Sequence, residues 1–197
     1  MEGRQIIDGI ITAHEAIHTL KSSRQSGMLI KLDMSKDFDK ISWQFLRATL
    51  LAFGFSTSWV SWILALVSST FFSILLNGSP TATFSSSRGI IQGDPLSPYI
   101  FIILAEGLGR FISAHVQNNH IQGLTLSRTG DKKSHLQFLD DKMLMGRSSV
   151  MEARAFKFIL KIFGEASGMD INYLKSHSFF QHPDSHPAQN HHDPRLS

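Results

Sequence analysis

The sequence predicts an α+β domain with a central, largely antiparallel sheet packed on helices. Three observations carry this. Helical and strand-like segments are interspersed along the chain rather than segregated. Hydrophobic residues make up 42% of the 197 residues, enough for a core, while the 18% of charged residues are too few for a disordered chain. Glycine and cap signals punctuate the segments, among them Gly54, Asn77-Gly78 and Gly168.

In chain order, Asp8 to Leu20 has helical spacing, with Asp8 as cap and Ile10, Ile11, Ile17 and Leu20 mostly on one face. Gly27 to Asp33 (GMLIKLD) reads as a short buried strand that ends at a carboxylate. Trp43 to Phe53 is helical and stops near Gly54. A second helix is expected over residues 58–69, followed by a buried strand and a hairpin around Asn77-Gly78. The loop RGIIQGDPLSP comes next, and then a buried helix from Tyr99 to Ala114 with Ser97 as its cap. Residues 135–139 and 143–146 read as strands around Asp140-Asp141. Ser149-x-x-Glu152 is a capping box, opening a helix that carries Phe156, Ile159, Leu160 and Phe163 on one face. The His/Pro-rich segment 177–197 reads as a disordered tail, and its histidines (His182, His186, His191, His192) as polar tail rather than a zinc site.

Charge bounds the function classes. Lys+Arg total 19 and Asp+Glu 16, a balance from which nucleic-acid binding does not follow. The absence of cysteine excludes disulfides, Cys-based zinc sites and thiol catalysis, and is compatible with an intracellular location. The N-terminus has no apolar signal segment. Residues 48–87 contain no Lys, Arg, Asp or Glu, and residues 58–76 are long enough to raise a membrane-associated small protein as an alternative. Six Ser and Thr residues dilute that window, its helical spacing is one-sided, and it runs into a turn; the expectation is therefore no membrane partner.

Asp33 at a strand end and Asp140-Asp141 at a turn are candidates for chemistry. Burying adjacent carboxylates is costly without a partner, and a divalent cation such as Mg²⁺ resolves that cost. Taken alone, Asp-Asp is more often an exposed turn pair. RGIIQGDPLSP is a loop with a demanding backbone path, suited either to ligand approach or simply to starting a helix. Composition and spacing leave both questions open. Trp43, Trp59 and Trp62, at helical spacing, read as core packing.

Five segments, KLDMSKDFDKISW, NGSP, SRGIIQGDPLSPYIFIILAEGL, HLQFLDDKMLM and SGMDINYLKS, together resemble the reverse transcriptase of non-LTR (LINE-type) retroelements, most closely the plant lineage. The resemblance runs over residues 3–176. It implies a polymerase palm at 27–176, preceded by the end of the fingers at 1–26, with incomplete fingers and no thumb. It implies RNA-directed DNA synthesis, in which a primer 3′-OH attacks the α-phosphate of a dNTP with the help of two Mg²⁺ ions, Mn²⁺ being able to substitute. The implied partners are an RNA template, a DNA primer and dNTP, with no obligate protein partner. Asp33, Asp140 and Asp141 match the metal-binding and catalytic aspartates, and Lys175 a lysine near the leaving phosphate. Phe38 matches the aromatic gate that crowds a ribose 2′-OH. Arg88, Gln92 and Gly93 match the loop that touches nucleotide and template.

The chain departs from the family pattern in places. Asp37 replaces the usual Ala beside Phe38, Leu139 replaces the usual Ala before the Asp pair, and Lys142 replaces the usual Thr after it, where it could pair with Asp141 and compete with metal. Together with the expected truncation, these changes lead us to expect a weak or inactive polymerase. The further alternative is a catalytically dead remnant that keeps only the fold or weak nucleic-acid binding.

Overall fold

The computed structural model describes residues 6–22, 26–35, 37–126, 130, 132–138, 141–172 and 174–181. It begins with α1 (Ile6–Ser22), β1 (Gly27–Leu32), β2 (Met34–Ser35), α2 (Asp37–Lys40), α3 (Trp43–Ala52) and α4 (Thr57–Ser68). Four short strands follow: β3 (Phe71–Phe72), β4 (Leu75–Leu76), β5 (Ser79–Pro80) and β6 (Phe84–Ser85). The remainder is α5 (Ser97–Gln117), β7 (Leu124–Thr125), β8 (Lys132–Lys133), β9 (His135–Phe138), β10 (Asp141–Gly146), α6 (Val150–Ser167), β11 (Asp170–Ile171) and β12 (His177–Gln181). The chain divides into two compact units. One comprises Met1–Ser35, Leu108–Ile162 and Ile171–Ser197; the other comprises Lys36–Gly107 and Phe163–Asp170.

The first unit is built on a four-stranded antiparallel sheet in the order β12-β1-β10-β9. β1 is central and apolar on both faces, which is why GMLIKL reads as a continuous hydrophobic run rather than an alternation. Its Leu29 packs with Met145 against Ala16 and Leu20 of α1, with Met143, Leu136 and Phe179 partly buried around them. On the other face Met28, Ile30 and Leu32 stand opposite Gly146, Leu144 and Lys142. On α1 the expected apolar stripe is only half used: Leu20 is buried, but Ile10 and Ile11 are more than half exposed.

β12 corrects the expected tail. His177–Gln181 pairs antiparallel with β1 over its whole length, from Lys31↔His177 to Gly27↔Gln181. The polar composition of 177–197 masked the two phenylalanines that make this strand. Residues 182–197 lie outside the described residues.

In the second unit, Ser42 and Ser56 cap α3 and α4 by accepting the N–H groups of Phe45 and Trp59. α3 buries Leu46, Thr49 and Leu50, and α4 buries Val60, Ile63 and Val67. The strands β3 to β6 then form a thin ribbon. Phe71 and Phe72 pair with Ser85 and Phe84, and Leu75 and Leu76 with Pro80 and Ser79. Asn77 (φ +49°) and Gly78 (φ +83°) turn the ribbon in the left-handed region that an Asn-Gly pair accommodates. The turn falls where the sequence places it, but the strand is not buried. Phe71, Ile74, Leu75, Leu76 and Phe84 are all at least half exposed. Trp62 is likewise 67% exposed rather than packed in the core.

The window 58–76 does not form a single helix but α4, β3 and β4. α4 has 12 residues, short of the roughly 20 needed to cross a bilayer. Among the described residues, only α5, with 21 residues, is long and apolar enough to cross. It buries Ile100, Phe101, Leu104, Leu108 and Ile112, the stripe expected of a core helix.

Candidate active site

Asp33 directly follows β1, and its backbone is held on both sides. Its N–H donates to Ser176 Oγ at 3.1 Å, and its carbonyl accepts the Asn172 N–H at 2.8 Å. Asn172 also organises the turn that carries Lys175. The Lys175 N–H donates to the Asn172 carbonyl at 3.1 Å and to its Oδ1 at 3.3 Å, while Ser176 Oγ donates to the same carbonyl at 2.9 Å. A strand end and a turn more than a hundred residues apart in sequence therefore form one hydrogen-bonded cluster. It brings Asp33 and the exposed Lys175 into the same local structure.

The sheet register supplies the second carboxylate position. The β1–β10 ladder ends at Leu32↔Lys142, and Asp33 and Asp141 are the residues one step beyond that last pair on the two chain segments. Only the backbone of Asp141 is described, and Asp140 lies outside the described residues. Lys142 is 2% exposed on the face with Leu32 and Leu144, and its Nζ is 2.9 Å from Met34 Sδ. It is therefore buried rather than a solvated surface charge.

Phe38, Arg88, Gln92 and Gly93 belong to the second unit. Phe38 lies in α2 and stacks on Phe101 of α5 with ring centroids 4.8 Å apart and planes 14° apart. Arg88, Gln92 and Gly93 are exposed, with Gly93 at φ +95°. The helix after this loop is not capped by Ser97, which is its first residue. Asp94 Oδ1 instead accepts the N–H groups of Leu96 at 2.7 Å and Ser97 at 3.3 Å. The side chain of Asp37 is outside the described residues.

Three residues that hydrogen-bond the candidate segments went unassigned in the sequence. Asn172 and Ser176 carry a faint local signal, since Asn is a common turn former. Trp43, read as core packing, is half-buried and also donates its indole N–H to the Gly89 carbonyl at 2.7 Å. No local pattern announces a bond across 46 residues.

The fold is that of a polymerase palm. The telomerase of Candida albicans, solved with a fragment of telomeric RNA, superposes with a TM-score of 0.66 at 13% identity, over 92% of this chain and 32% of that one. The family follows from the sequence match. A family described as reverse transcriptase (RNA-dependent DNA polymerase) matches residues 1–190, and the chain belongs to it. The chain is 26% identical over 174 residues to a 149 kDa uncharacterized protein of transposon TX1 from Xenopus laevis, covering 88% of this chain and 13% of that protein. It is 28% identical over 180 residues to a retrovirus-related Pol polyprotein from the type-1 retrotransposable element R2 of Popillia japonica, covering 89% of this chain and 24% of that one. The chain thus spans well under half the length of either relative.

Members of this family use divalent metal ions. Among the described residues no group of three His, Cys, Asp or Glu side chains converges. The Asp residues at the β1–β10 strand ends nevertheless carry carboxylate oxygens, the donor type that suits a hard cation.

Proposed function

We propose that this chain is the catalytic palm of an RNA-directed DNA polymerase. The single observation that carries the reading is the β1–β10 register, which aligns Asp33 with the start of Asp141's strand in a chain of this family. Asp33, Asp140 and Asp141 would hold two Mg²⁺ ions, whose contribution would be to activate the attacking oxygen and offset charge on the leaving group. Asn172 and Ser176 fix the Asp33 backbone, so its carboxylate need not reorganise when substrate arrives. Lys175, exposed on the same turn, supplies positive charge or a proton to the departing phosphate. Phe38, backed by Phe101, presents a fixed ring against which a 2′-OH would collide, favouring dNTPs. Arg88, Gln92 and Gly93 line the approach of nucleotide and RNA template, with a DNA primer supplying the 3′-OH. Such contacts are mainly to phosphate and sugar and tolerate sequence. Intracellular action belongs to the same proposal, since its substrates are nucleotides and nucleic acid.

Primer extension tests this directly. Purified chain with an RNA template, DNA primer, dNTPs and Mg²⁺ is expected to extend the primer, slowly, because Asp37 adds a carboxylate beside Phe38. Asp33→Ala and Asp140→Ala are each expected to abolish extension. No extension by the unmutated chain, or extension that survives both substitutions, contradicts the reading.

A further inference from the structure

Three hydrogen bonds bind residues 38–43 to residues 89–90 inside the second unit. The Gly89 N–H donates to the Ile41 carbonyl at 2.7 Å, and the Ile90 N–H donates to the Phe38 carbonyl at 2.8 Å. The third is the Trp43 indole N–H, donating to the Gly89 carbonyl at 2.7 Å. The first two are backbone bonds that tolerate other side chains. The third depends on one residue type, because the donor must sit at the edge of a wide, rigid ring. Gly89 is buried at φ +87°, and a Cβ there would lie 2.6 Å from the Asp39 carbonyl oxygen and 3.1 Å from that of Phe38. The loop therefore rests on the α2 turn without slack.

Phe38 is held from the other side by its stack on Phe101. The gate ring and the backbone from which Arg88 and Gln92 project thus behave as one piece, and Trp43 is the side chain that joins them. We propose that Trp43 is a positioning residue for sugar selection: by gripping the Gly89 carbonyl it fixes the spacing between the Phe38 ring and the Arg88–Gly93 loop. The inference rests on Phe38 and that loop meeting the nucleotide as proposed above. Its physical basis is that a steric gate discriminates only while the ring cannot recede. One hydroxyl is accommodated by a shift on the order of an ångström, and displacements of this size degrade selectivity without unfolding anything. Trp43 acts through Gly89, not on the nucleotide.

The test compares equilibrium binding of dATP and ATP, with Mg²⁺, to complexes of the chain with an RNA template and a dideoxy-terminated DNA primer. Melting temperature is measured alongside. Trp43→Phe keeps the ring and removes the donor. With melting little changed, it is expected to lower the preference for dATP over ATP by about five-fold, the worth of one neutral hydrogen bond. A folded Trp43→Phe with unchanged preference overturns the inference and leaves the polymerase reading intact. Failure of the unmutated complex to bind either nucleotide overturns the nucleotide reading and this inference with it. Amide exchange in the unmutated chain gives a check that needs no variant. The Gly89 and Ile90 amides are expected to exchange far more slowly than those of Gln92 and Gly93. Equal rates show that the loop is not held on α2 and overturn the inference.

Discussion

Single residues show where local pattern was a sufficient guide and where it was not. Ser149-x-x-Glu152 announces a helix start, and Ser149 Oγ does accept the Glu152 N–H at 3.2 Å. The carboxylate departs from the box. It accepts the N–H of Arg147 at 3.0 Å and that of Gln122 at 3.2 Å, the latter thirty positions away in sequence. A pattern four residues long cannot show a partner that distant. Glu152→Ala leaves two backbone donors without an acceptor at a site that is 5% exposed. Urea denaturation is expected to show a loss of about 2–4 kcal/mol. Gly89 was visible only as part of a demanding loop; its role depends on the Asp39 carbonyl, which the sequence does not place beside it. Gly89→Ala adds a left-handed φ penalty to a backbone collision, and the same measurement is expected to show about 2–4 kcal/mol. Lys142 shows a burial that sequence position hides: the β1–β10 register carries this charged residue inward beside Met34.

At the scale of elements, helices and the Asn-Gly turn were legible because their signals are local: caps, spacing and glycines. The failures concern what each element meets. The stretch from Phe71 to Leu76 is apolar enough to read as buried, yet a two-stranded ribbon has two faces, and here neither is covered. β12 failed for the reverse reason, since averaging composition over 177–197 hid Phe179 and Phe180 among polar residues. Its worth is testable. Ending the chain at Ser176 removes the Phe179 contact with the α1-side core and leaves central β1 as an unpaired edge. Denaturation is expected to show a loss of about 2–4 kcal/mol, together with greater aggregation on light scattering. If the shortened chain were as stable and as monodisperse as the full one, β12 would be only a passive addition to the sheet.

For the whole molecule, the near-neutral charge and the forty uncharged residues misdirect when read as averages. The uncharged segment supplies core positions such as Leu50, Val60 and Ile63, and then the exposed ribbon. An apolar ribbon with no charge to oppose association is a self-association hazard. Replacing Leu75 with Lys and Leu76 with Glu is expected to lower light scattering at a given concentration without shifting the melting temperature. The candidate site was legible only through resemblance to a family, for a physical reason. The β1–β10 register pairs strands more than a hundred residues apart, and the turn that carries Lys175 is bonded to the residue that follows β1. Neither composition nor periodicity encodes such a register. These strand ends are expected to hold a divalent cation, and Mn²⁺ titration followed by electron paramagnetic resonance measures that binding. The unmutated chain is expected to bind Mn²⁺, with affinity falling at least about ten-fold in Asp33→Asn while the melting temperature holds, since one of few charged ligands is lost. Failure of the unmutated chain to bind, or equal binding by Asp33→Asn, would contradict it.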